Sequence, residues 1–276
     1  MGFSKARPGA ALTLDVADNL LEAGYTIEDG VGLSGEMIWA TPWVHETDPS
    51  VGESLAVIFT LVGDWPHQPM QILSNVGGNH LSAIGAPIYT PRVREYLHAS
   101  VSAGQKLDIR GESLDVIASN GRAGCTFYYN NRPPSVPTIY QKWTRESPTT
   151  TAGNNSLGTL TLDGAGQIID LIGVVLPTGT VTADIETAGR FIVSSDSLSP
   201  VNEVSWDIDP WGAMEATSGM LNTAQIWRQE VDLTSSVPSV VLTGNFDLDV
   251  AITTQTCVGA FGARYLKRNP SRNPLV

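Results

Sequence analysis

The chain has 276 residues, of which 42% are hydrophobic and only 16% are charged, as is usual for folded globular proteins. A single core usually needs about 100 to 150 residues, so this length predicts two domains. The formal net charge of −12 disfavours a general nucleic-acid-binding surface, and the lack of any apolar run of about 18 residues disfavours a membrane-spanning helix or a secretion signal.

The basic residues concentrate at the two ends of the chain. Residues 1–14 and 258–276 contain no Asp or Glu, so ten other Lys and Arg residues face all 28 acidic residues and leave −18 on the body. This pattern indicates two cationic tails, although ordinary charged termini would give the same pattern. The tail residues are Lys5, Arg7, Arg264, Lys267, Arg268 and Arg272.

Three short segments predict a little helix. Residues 15–23 have Asp15 as a candidate N-cap, and residues 209–219 begin with an Asp-Pro pair in which Pro210 suits the first helical turn. Residues 78–85 are the matching segment of the first half. We therefore expect one short helix in a long connection of each half, at 78–85 and 209–219, and a further short one at 15–23.

The remaining pattern is that of β-strands. The segments 54–63 (SLAVIFTLVG) and 189–195 (GRFIVSS) are rich in β-branched and aromatic residues, while 106–119 and 244–253 alternate apolar with polar residues. Strands that turns separate at this density predict an all-β fold built from sandwiches or barrels.

The two halves repeat one another at a constant offset of 134 positions. Asp29 and Gly30 match Asp163 and Gly164, and there are 13 identities over the 93 positions from 26 to 118. The matches fall at turn residues and in apolar runs, where backbone geometry limits the choice of residue. We therefore predict an internal duplication whose two copies have equivalent folds.

The segment that joins the two copies is rich in proline. It runs as NRPPSVPTIYQKWTRESPTTTAGNNS, yet Ile139, Tyr140 and Trp143 are too apolar for a free tether, so we expect it to lie against one domain. With the boundary near Thr150, the first domain and its N-terminal arm span 1–150 and the second spans 151–276.

One dipeptide predicts a hairpin inside the first domain. The pair Asn120-Gly121 lies between two strand-like segments, LDVIAS and RAGCTFYY, and Asn-Gly is the strongest short signal for a two-residue hairpin turn. A chain that instead changes sheets at this point would need a sheet-crossing corner.

The two cysteines follow equivalent strands of the two copies. Cys125 and Cys257 would therefore lie in separate cores, too far apart to pair. We expect two reduced, buried thiols in a protein that is not secreted.

Residues suited to catalysis or metal binding are scarce. The four histidines have no spacing typical of zinc ligands, so we expect no catalytic, cofactor-binding or metal-binding residues and no enzymatic activity. The acidic pairs Asp207-x-Asp209 and Asp247-x-Asp249 could hold calcium, although solvated strand faces explain them better. Trp39 and Trp43 could line a sugar-binding face, although tryptophans in β-domains more often belong to a core or an interface.

Two similar β-domains joined by a proline-rich linker resemble the double jelly-roll major capsid proteins of the tectivirus, corticovirus and adenovirus lineage. The resemblance covers the whole chain as architecture: two tandem jelly-roll domains, 1–150 with the N-terminal arm and linker and 151–276 with the basic C-terminal tail.

The resemblance implies a structural protein of an icosahedral virion, assembled in the host cytoplasm. Its homotrimers would form pseudo-hexameric tiles that contact neighbouring capsid proteins. The basic ends would then meet an inner membrane or genome, and no small-molecule substrate or cofactor is implied. The alternative is a tandem β-sandwich module of the carbohydrate-binding or tail-fibre type.

Overall fold

The computed structural model describes residues 3–6, 10–11, 19–27, 31–46, 54–67, 70–74, 77–79, 87–89, 94–114, 121–144, 153–177, 185–213, 225–248 and 257–268. Within these residues the regular structure consists of 21 β-strands, all paired antiparallel, without an α-helix. The predicted all-β fold class is confirmed. No helix long and apolar enough to cross a membrane occurs in the part of the chain that the structure describes.

The first half of the chain forms a five-stranded sheet, a four-stranded sheet and a small three-stranded sheet. Its strands are β1 (Phe3–Ala6), β2 (Ala10–Ala11), β3 (Asn19–Thr26), β4 (Gly35–Glu46), β5 (Ser54–Leu55), β6 (Val57–Gly63), β7 (Met70–Leu73), β8 (Gly77–Asn79), β9 (Pro87–Tyr89), β10 (Glu95–Val101), β11 (Lys106–Ser113) and β12 (Gly121–Asn130). Sheet 1 has the order β1-β12-β4-β10, with β2 also paired to β12, and sheet 2 has the order β3-β11-β6-β7. The small sheet is β5-β8-β9.

The second half forms two further sheets. Its strands are β13 (Ile139–Trp143), β14 (Gly153–Asp163), β15 (Ala165–Pro177), β16 (Ile185–Ser194), β17 (Leu198–Ser199), β18 (Glu203–Ala213), β19 (Gln225–Ser235), β20 (Ser239–Leu248) and β21 (Cys257–Lys267). Sheet 3 has the order β13-β21-β15-β19-β17, and sheet 4 has the order β14-β20-β16-β18. Sheets 1 and 2 are called the first unit below, and sheets 3 and 4 the second unit.

The two units share one topology. Without the short strands β2, β5, β8, β9 and β17, each unit has eight principal strands, with the first, eighth, third and sixth in one sheet and the second, seventh, fourth and fifth in the other. This is the strand order of a jelly roll, in which two Greek keys form a sandwich. The predicted pair of tandem jelly-roll sandwiches is therefore confirmed.

The repeat extends to the pairing of individual residues. Tyr129 of β12 faces Met37 of β4, and the residues 134 positions later, Ala263 of β21 and Leu171 of β15, also face each other. Equivalent strands thus pair in equivalent register, as an internal duplication predicts.

The repeated Asp-Gly turn corresponds to a corner at which the chain changes sheets. Gly164 alone separates β14 in sheet 4 from β15 in sheet 3, and its φ of 70° is in the left-handed region that favours glycine. The equivalent connection of the first unit joins β3 in sheet 2 to β4 in sheet 1, and its residues 28–30 lie outside the described residues.

Aromatic side chains fill the space between the two sheets of each unit. In the first unit Tyr25 stacks on Phe127 with ring centroids 5.4 Å apart, and in the second Phe191 stacks on Phe246 at 5.3 Å. All four side chains are almost completely buried. Because burial of each large apolar side chain stabilises the fold by roughly 1.5–3 kcal/mol, these stacks hold the sheets of each sandwich together.

The predicted helices are wrong where the structure describes them. Residues 19–23 of the first candidate lie in β3, which pairs with β11, so ladder hydrogen bonds override a weak helix signal. In the second candidate Asp209 and Pro210 lie within β18, at a register shift between the residues that face Gly189 and Thr187. β18 is an edge strand, and an edge or a bulge is where a sheet accepts proline. Residues 80–85 of the third candidate lie outside the described residues.

The hairpin predicted at Asn120-Gly121 lies largely outside the described residues, which do not include 115–120, but the described strands on either side of it are β11 and β12. The flanking strands lie in different sheets, because β11 pairs with β3 and β6 while β12 pairs with β1 and β4. The connection crosses between sheets, as jelly-roll topology requires.

The proline-rich segment lies against the second unit, as predicted. Ile139–Trp143 form β13, the edge of sheet 3 next to β21, and Tyr140 and Trp143 are buried. The chain therefore passes from the sheets of one unit to those of the other over residues 131–138, ahead of the boundary predicted near Thr150, which lies outside the described residues.

Candidate functional site

The two units meet through the outer faces of sheets 2 and 3. On sheet 2 the side chains of Ile58 and Leu73 point away from the first core, and on sheet 3 those of Ile172 and Val174 point away from the second. The buried cluster formed between these faces comprises Ala56, Ile58, Leu73, Leu114, Trp143, Ile172, Val174 and Ala260. The outer face of sheet 2 thus packs on the outer face of sheet 3 through an apolar junction, and the edge strand β10 of sheet 1 also reaches sheet 3.

An ion cluster closes one side of this junction. Arg228 donates to Glu95 at 2.9 Å, and Arg264 donates to Asp170 at 2.6 Å. Arg264 also donates to the carbonyl of Tyr96 at 3.3 Å and lies 3.9 Å from Glu95. Residues of the second unit therefore hold a carboxylate and a carbonyl of the first.

Glu95 is the member of this cluster that burial affects most. It is 4% exposed, and desolvation raises the pKa of its carboxyl, while Arg228 and Arg264 act in the opposite direction. A buried carboxylate of this kind needs its cationic partners, because removing one of them leaves a charge without compensation. The cluster therefore couples the two units strongly.

The Arg264–Asp170 pair has an equivalent in the first unit. The positions 134 earlier are Asn130 and Glu36, and Asn130 donates to Glu36 at 2.8 Å. Glu36 is also 2.6 Å from the ring nitrogen of His98. Both units therefore carry a cross-strand polar pair at the same place on the sheet, but only in the second unit is it turned toward the neighbouring unit.

His67 forms a second polar contact across the junction. Its ring nitrogens lie 3.0 Å from the Tyr140 hydroxyl of the second unit and 2.9 Å from the Ser100 hydroxyl of the first. Burial lowers the pKa of His67, and the nearby charge of Lys267 lowers it further, while the contact with Ser100 raises it. The ammonium of Lys267 lies over the Tyr140 ring at 4.1 Å. The lowered pKa favours the neutral form of the His67 imidazole between Tyr140 and Ser100.

A strip of aromatic side chains covers the outer face of sheet 1. Trp39 of β4 stacks on Tyr128 of β12 with centroids 4.0 Å apart and planes 1° from parallel. Tyr96 of β10 meets the Trp39 ring edge-on at 5.7 Å, and the guanidinium of Arg94 lies over that ring at 5.0 Å. Trp43 follows Trp39 on the same half-buried side of β4. Trp39 and Trp43, for which the sequence favoured a core or an interface over a sugar-binding face, thus lie half-buried on one side of β4.

The structure gives internal partners to three of the six predicted tail residues. Arg264 lies within β21 and is buried in the ion cluster, so the prediction that it belongs to a free tail is wrong. Lys267, in the same strand, contacts Tyr140, and burial lowers its pKa. Arg268 follows β21 and donates to the carbonyls of Ser235 and Ser236.

The other three tail residues are described only in part. Lys5 lies in β1, where its backbone faces Phe127, and its side chain is outside the described residues, as are Arg7 and Arg272. The expected contact of these residues with an anionic layer stays a prediction.

Candidate chemistry is sparse in the described part of the chain. Within those residues no three His, Cys, Asp or Glu side chains come together as metal ligands would. Of the acidic pairs, Asp207 is exposed on the edge strand β18 and Asp247 is paired with Arg190 at 3.2 Å. A shallow groove of about 550 Å³ beside β17 is lined by Asp196, Ser197, Leu198, Ser199, Thr234, Ser235, Ser236 and Val237.

Sequence reasoning missed the junction, which is the most elaborate polar site among the described residues. Arg228 is the counterpart of Arg94 at the offset of 134, but nothing in the sequence indicated that its partner is Glu95, a residue of the other unit. From sequence alone, a single carboxylate in an alternating strand is expected to be exposed to solvent. Only the position of the neighbouring sheet shows that Glu95 is buried.

Comparisons with known proteins gave matches in structure alone. No protein-family model and no curated protein matches the chain. Among solved structures, the STIV major capsid protein is 9% identical, with 100% of each chain covered and a TM-score of 0.42. PNGase F, a glycosylasparaginase from Flavobacterium meningosepticum, is 10% identical, with 97% of each chain covered and a TM-score of 0.41. A CBM22-1-CBM22-2 tandem domain of Paenibacillus barcinonensis Xyn10C is 8% identical over 96% of this chain and 91% of that one, with a TM-score of 0.26.

Proposed function

We propose that this protein is a viral major capsid protein, a structural and non-enzymatic subunit whose homotrimers form the pseudo-hexameric tiles of an icosahedral shell. The observation that carries the proposal is the tandem repeat: two jelly rolls of identical strand order are stacked side by side in one chain. Jelly rolls of this kind are a recurrent architecture of viral capsid domains.

The orientation of the two units supports a tile with two distinct surfaces. His67, in the connection after β6, contacts Tyr140 near the start of β13, while Leu114 and Val174 share the apolar cluster. Equivalent ends of the two jelly rolls therefore lie together. Three such chains around an axis give six similar units, and a closed ring buries the sides that open chains would leave free.

The chain ends converge on the end of the molecule that the linker crosses. Phe3, at the start of β1, faces Tyr129 near the end of β12, and Ile139, at the start of β13, faces Leu266 near the end of β21. Arg272, which follows β21, would meet an inner membrane or genome from this side. Each Lys or Arg near an anionic surface contributes about 1 kcal/mol.

The mass of the purified protein in solution tests the proposal. We expect a trimer of three 29.4 kDa chains, 88.2 kDa in total, in light scattering behind a sizing column at micromolar concentrations. A protein that stays monomeric from about 1 to 100 µM would contradict it, because obligate tiles form well below such concentrations.

A second candidate function is carbohydrate binding, which the aromatic strip of sheet 1 favours. Tyr96 is 41% exposed beside Trp39 and Tyr128, and exposed aromatic faces are one way to hold sugar rings. A monomer whose glycan binding, followed by titration calorimetry, is lost in Tyr96→Ala would move this function to first place. A trimer with no glycan binding would exclude it.

A further inference from the structure

The polar side of the junction contains buried atoms that have no hydrogen-bond partner among the described residues. They are Oε2 of Glu95, Nε of Arg264 and both amide atoms of Gln141. The residues themselves are 4%, 8% and 1% exposed. Native proteins rarely leave such atoms without a partner, because burying them unpaired is costly. All three side chains therefore need a further hydrogen bond.

The strand pairing places these three side chains together. Gln141 of β13 faces Arg264 of β21 in the antiparallel ladder, so both side chains lie on one face of sheet 3, with Cβ atoms about 4.5–5.5 Å apart. That face is the junction side, because Arg264 reaches Glu95 of the first unit. The segment that leads into β13 also contacts β10, since Thr138 donates to the carbonyl of His98 at 3.0 Å. The Gln141 amide is thus brought next to the pair formed by Arg264 and Glu95.

The separation of Glu95 and Arg264 fits a bridging molecule rather than a direct bond. Arg264 Nε lies 3.9 Å from Glu95 Oε2, whereas a direct charge-assisted hydrogen bond would measure about 2.7–2.9 Å. A water molecule can lie about 2.9 Å from both atoms. It would accept from Arg264 Nε and donate to Glu95 Oε2, and the Gln141 amide can both donate to water and accept from it.

The charges of the cluster select a neutral ligand. Arg228 and Arg264 are paired with Glu95 and Asp170, so two positive charges balance two negative ones. A cation at this place would be repelled by both guanidinium groups, and an anion by both carboxylates. A buried site with donors and acceptors but without net charge is one that water fills.

We propose that the junction between the two units holds an ordered, buried water molecule that bridges Glu95, Arg264 and Gln141. The molecule links two residues of the second unit to a carboxylate of the first. Burial opposes the charge of Glu95, and a hydrogen bond from water to Oε2 offsets part of that cost. The site belongs to the single chain, so the inference goes beyond the proposed function and does not depend on trimer formation.

A crystal structure of the full chain, at a resolution that shows ordered water, tests the site directly. We expect a density peak at about 2.7–3.2 Å from Glu95 Oε2, Arg264 Nε and one amide atom of Gln141. A Gln141 amide that bonds Glu95 or Arg264 directly, with no peak between them, would overturn the inference.

Oxygen-17 relaxation dispersion gives a second readout in solution, because it detects water molecules that stay bound longer than the protein takes to tumble. Gln141→Met keeps the length of the side chain and removes the amide, which leaves the water with fewer than the roughly three partners typical of buried waters. We expect the dispersion amplitude to fall by the contribution of one water molecule per chain.

Lys142→Met is the matched control for this variant. Lys142 is the next residue of β13, and its ammonium donates to the carbonyl of Thr161 at an exposed place. Its dispersion amplitude should equal that of the wild type, and circular dichroism with thermal melting shows that both variants are folded. An equal amplitude in the wild type and in folded Gln141→Met would contradict the bridge through Gln141, whatever the oligomeric state of the protein.

Discussion

Gly262 lies in β21 beneath the indole of Trp143, inside the apolar junction. A Cβ atom at this position would come within 2.5 Å of the indole ring. We expect Gly262→Ala to push Trp143 out of the junction and to lower the free energy of unfolding by about 1–3 kcal/mol, measured by urea denaturation. Ser239→Ala at an exposed strand position is the control, with a change below about 0.5 kcal/mol. Equal stability of the two variants would contradict the packing described.

The burial of Cys125 in the first core can be tested by thiol labelling. The side chain is buried and unpaired, and desolvation raises the pKa of its thiol, so both access and the reactive thiolate are lacking in the folded state. In a Cys257→Ser background, we expect a maleimide to leave Cys125 unlabelled in buffer and to label it completely in urea. Labelling in buffer at the rate of a small free thiol would show that this part of the first core is open.

Buried apolar residues were easier to predict from the sequence than buried charged residues. Burial of Cys125 follows from its apolar neighbours in one strand, which are local information. Burial of Glu95 and Arg264 depends on the sheet that the other unit places against them. The sequence therefore predicted the burial of Cys125. It placed Arg264 in a tail because the sequence shows the charge of Arg264 but not its partner Asp170.

The predicted strands are confirmed, whereas the predicted helices are wrong where the structure describes them. The segments that became β6, β11, β16 and β20 have strong β-propensity and clear alternation, which agree with the final pairing. The segments of β3 and β18 carried helix-start signals, and these were overridden because each completes the edge of a sheet. Capping residues report only on the local backbone, whereas ladder hydrogen bonds depend on distant strands.

The contact that His67 makes between elements gives the fold a pH dependence. Its pKa in the folded protein is lowered from 6.5, chiefly by burial, so the unfolded chain takes up a proton first as the pH falls. Stability is therefore unaffected above about pH 6.5 and decreases below it, as protonation favours the unfolded state. We expect His67→Gln, whose amide can still bond Tyr140 and Ser100, to lose less stability between pH 7.5 and 5.5 than the wild type.

Urea midpoints at the two pH values measure this difference. Because other groups titrate in the same range, the comparison of slopes matters rather than either slope alone. Parallel pH dependences in the wild type and His67→Gln would show that the buried imidazole does not contribute.

In the whole molecule, the sequence predicted the internal repeat. It did not predict which faces of the two units pack against each other. The offset of 134 appears in turn residues such as Gly164, whose left-handed backbone leaves little choice of residue. The packing of one unit on the other depends instead on modest apolar patches, such as Ile172 and Val174. In the sequence these residues belong to an apolar run that fits any strand buried on both faces. Jelly-roll topology could be proposed from the pattern, but the face that each unit turns to the other required the structure.

We propose that the two jelly rolls of one chain form one third of a closed six-unit tile. Electron microscopy of the isolated, unfixed oligomer tests it most directly, because two-dimensional class averages show the number and arrangement of units. We expect a compact ring with a hexagonal outline, six similar lobes and threefold symmetry, with a mass of 88.2 kDa from three 29.4 kDa chains. Two-lobed monomers, two-fold dimers or open filaments in the averages would contradict it.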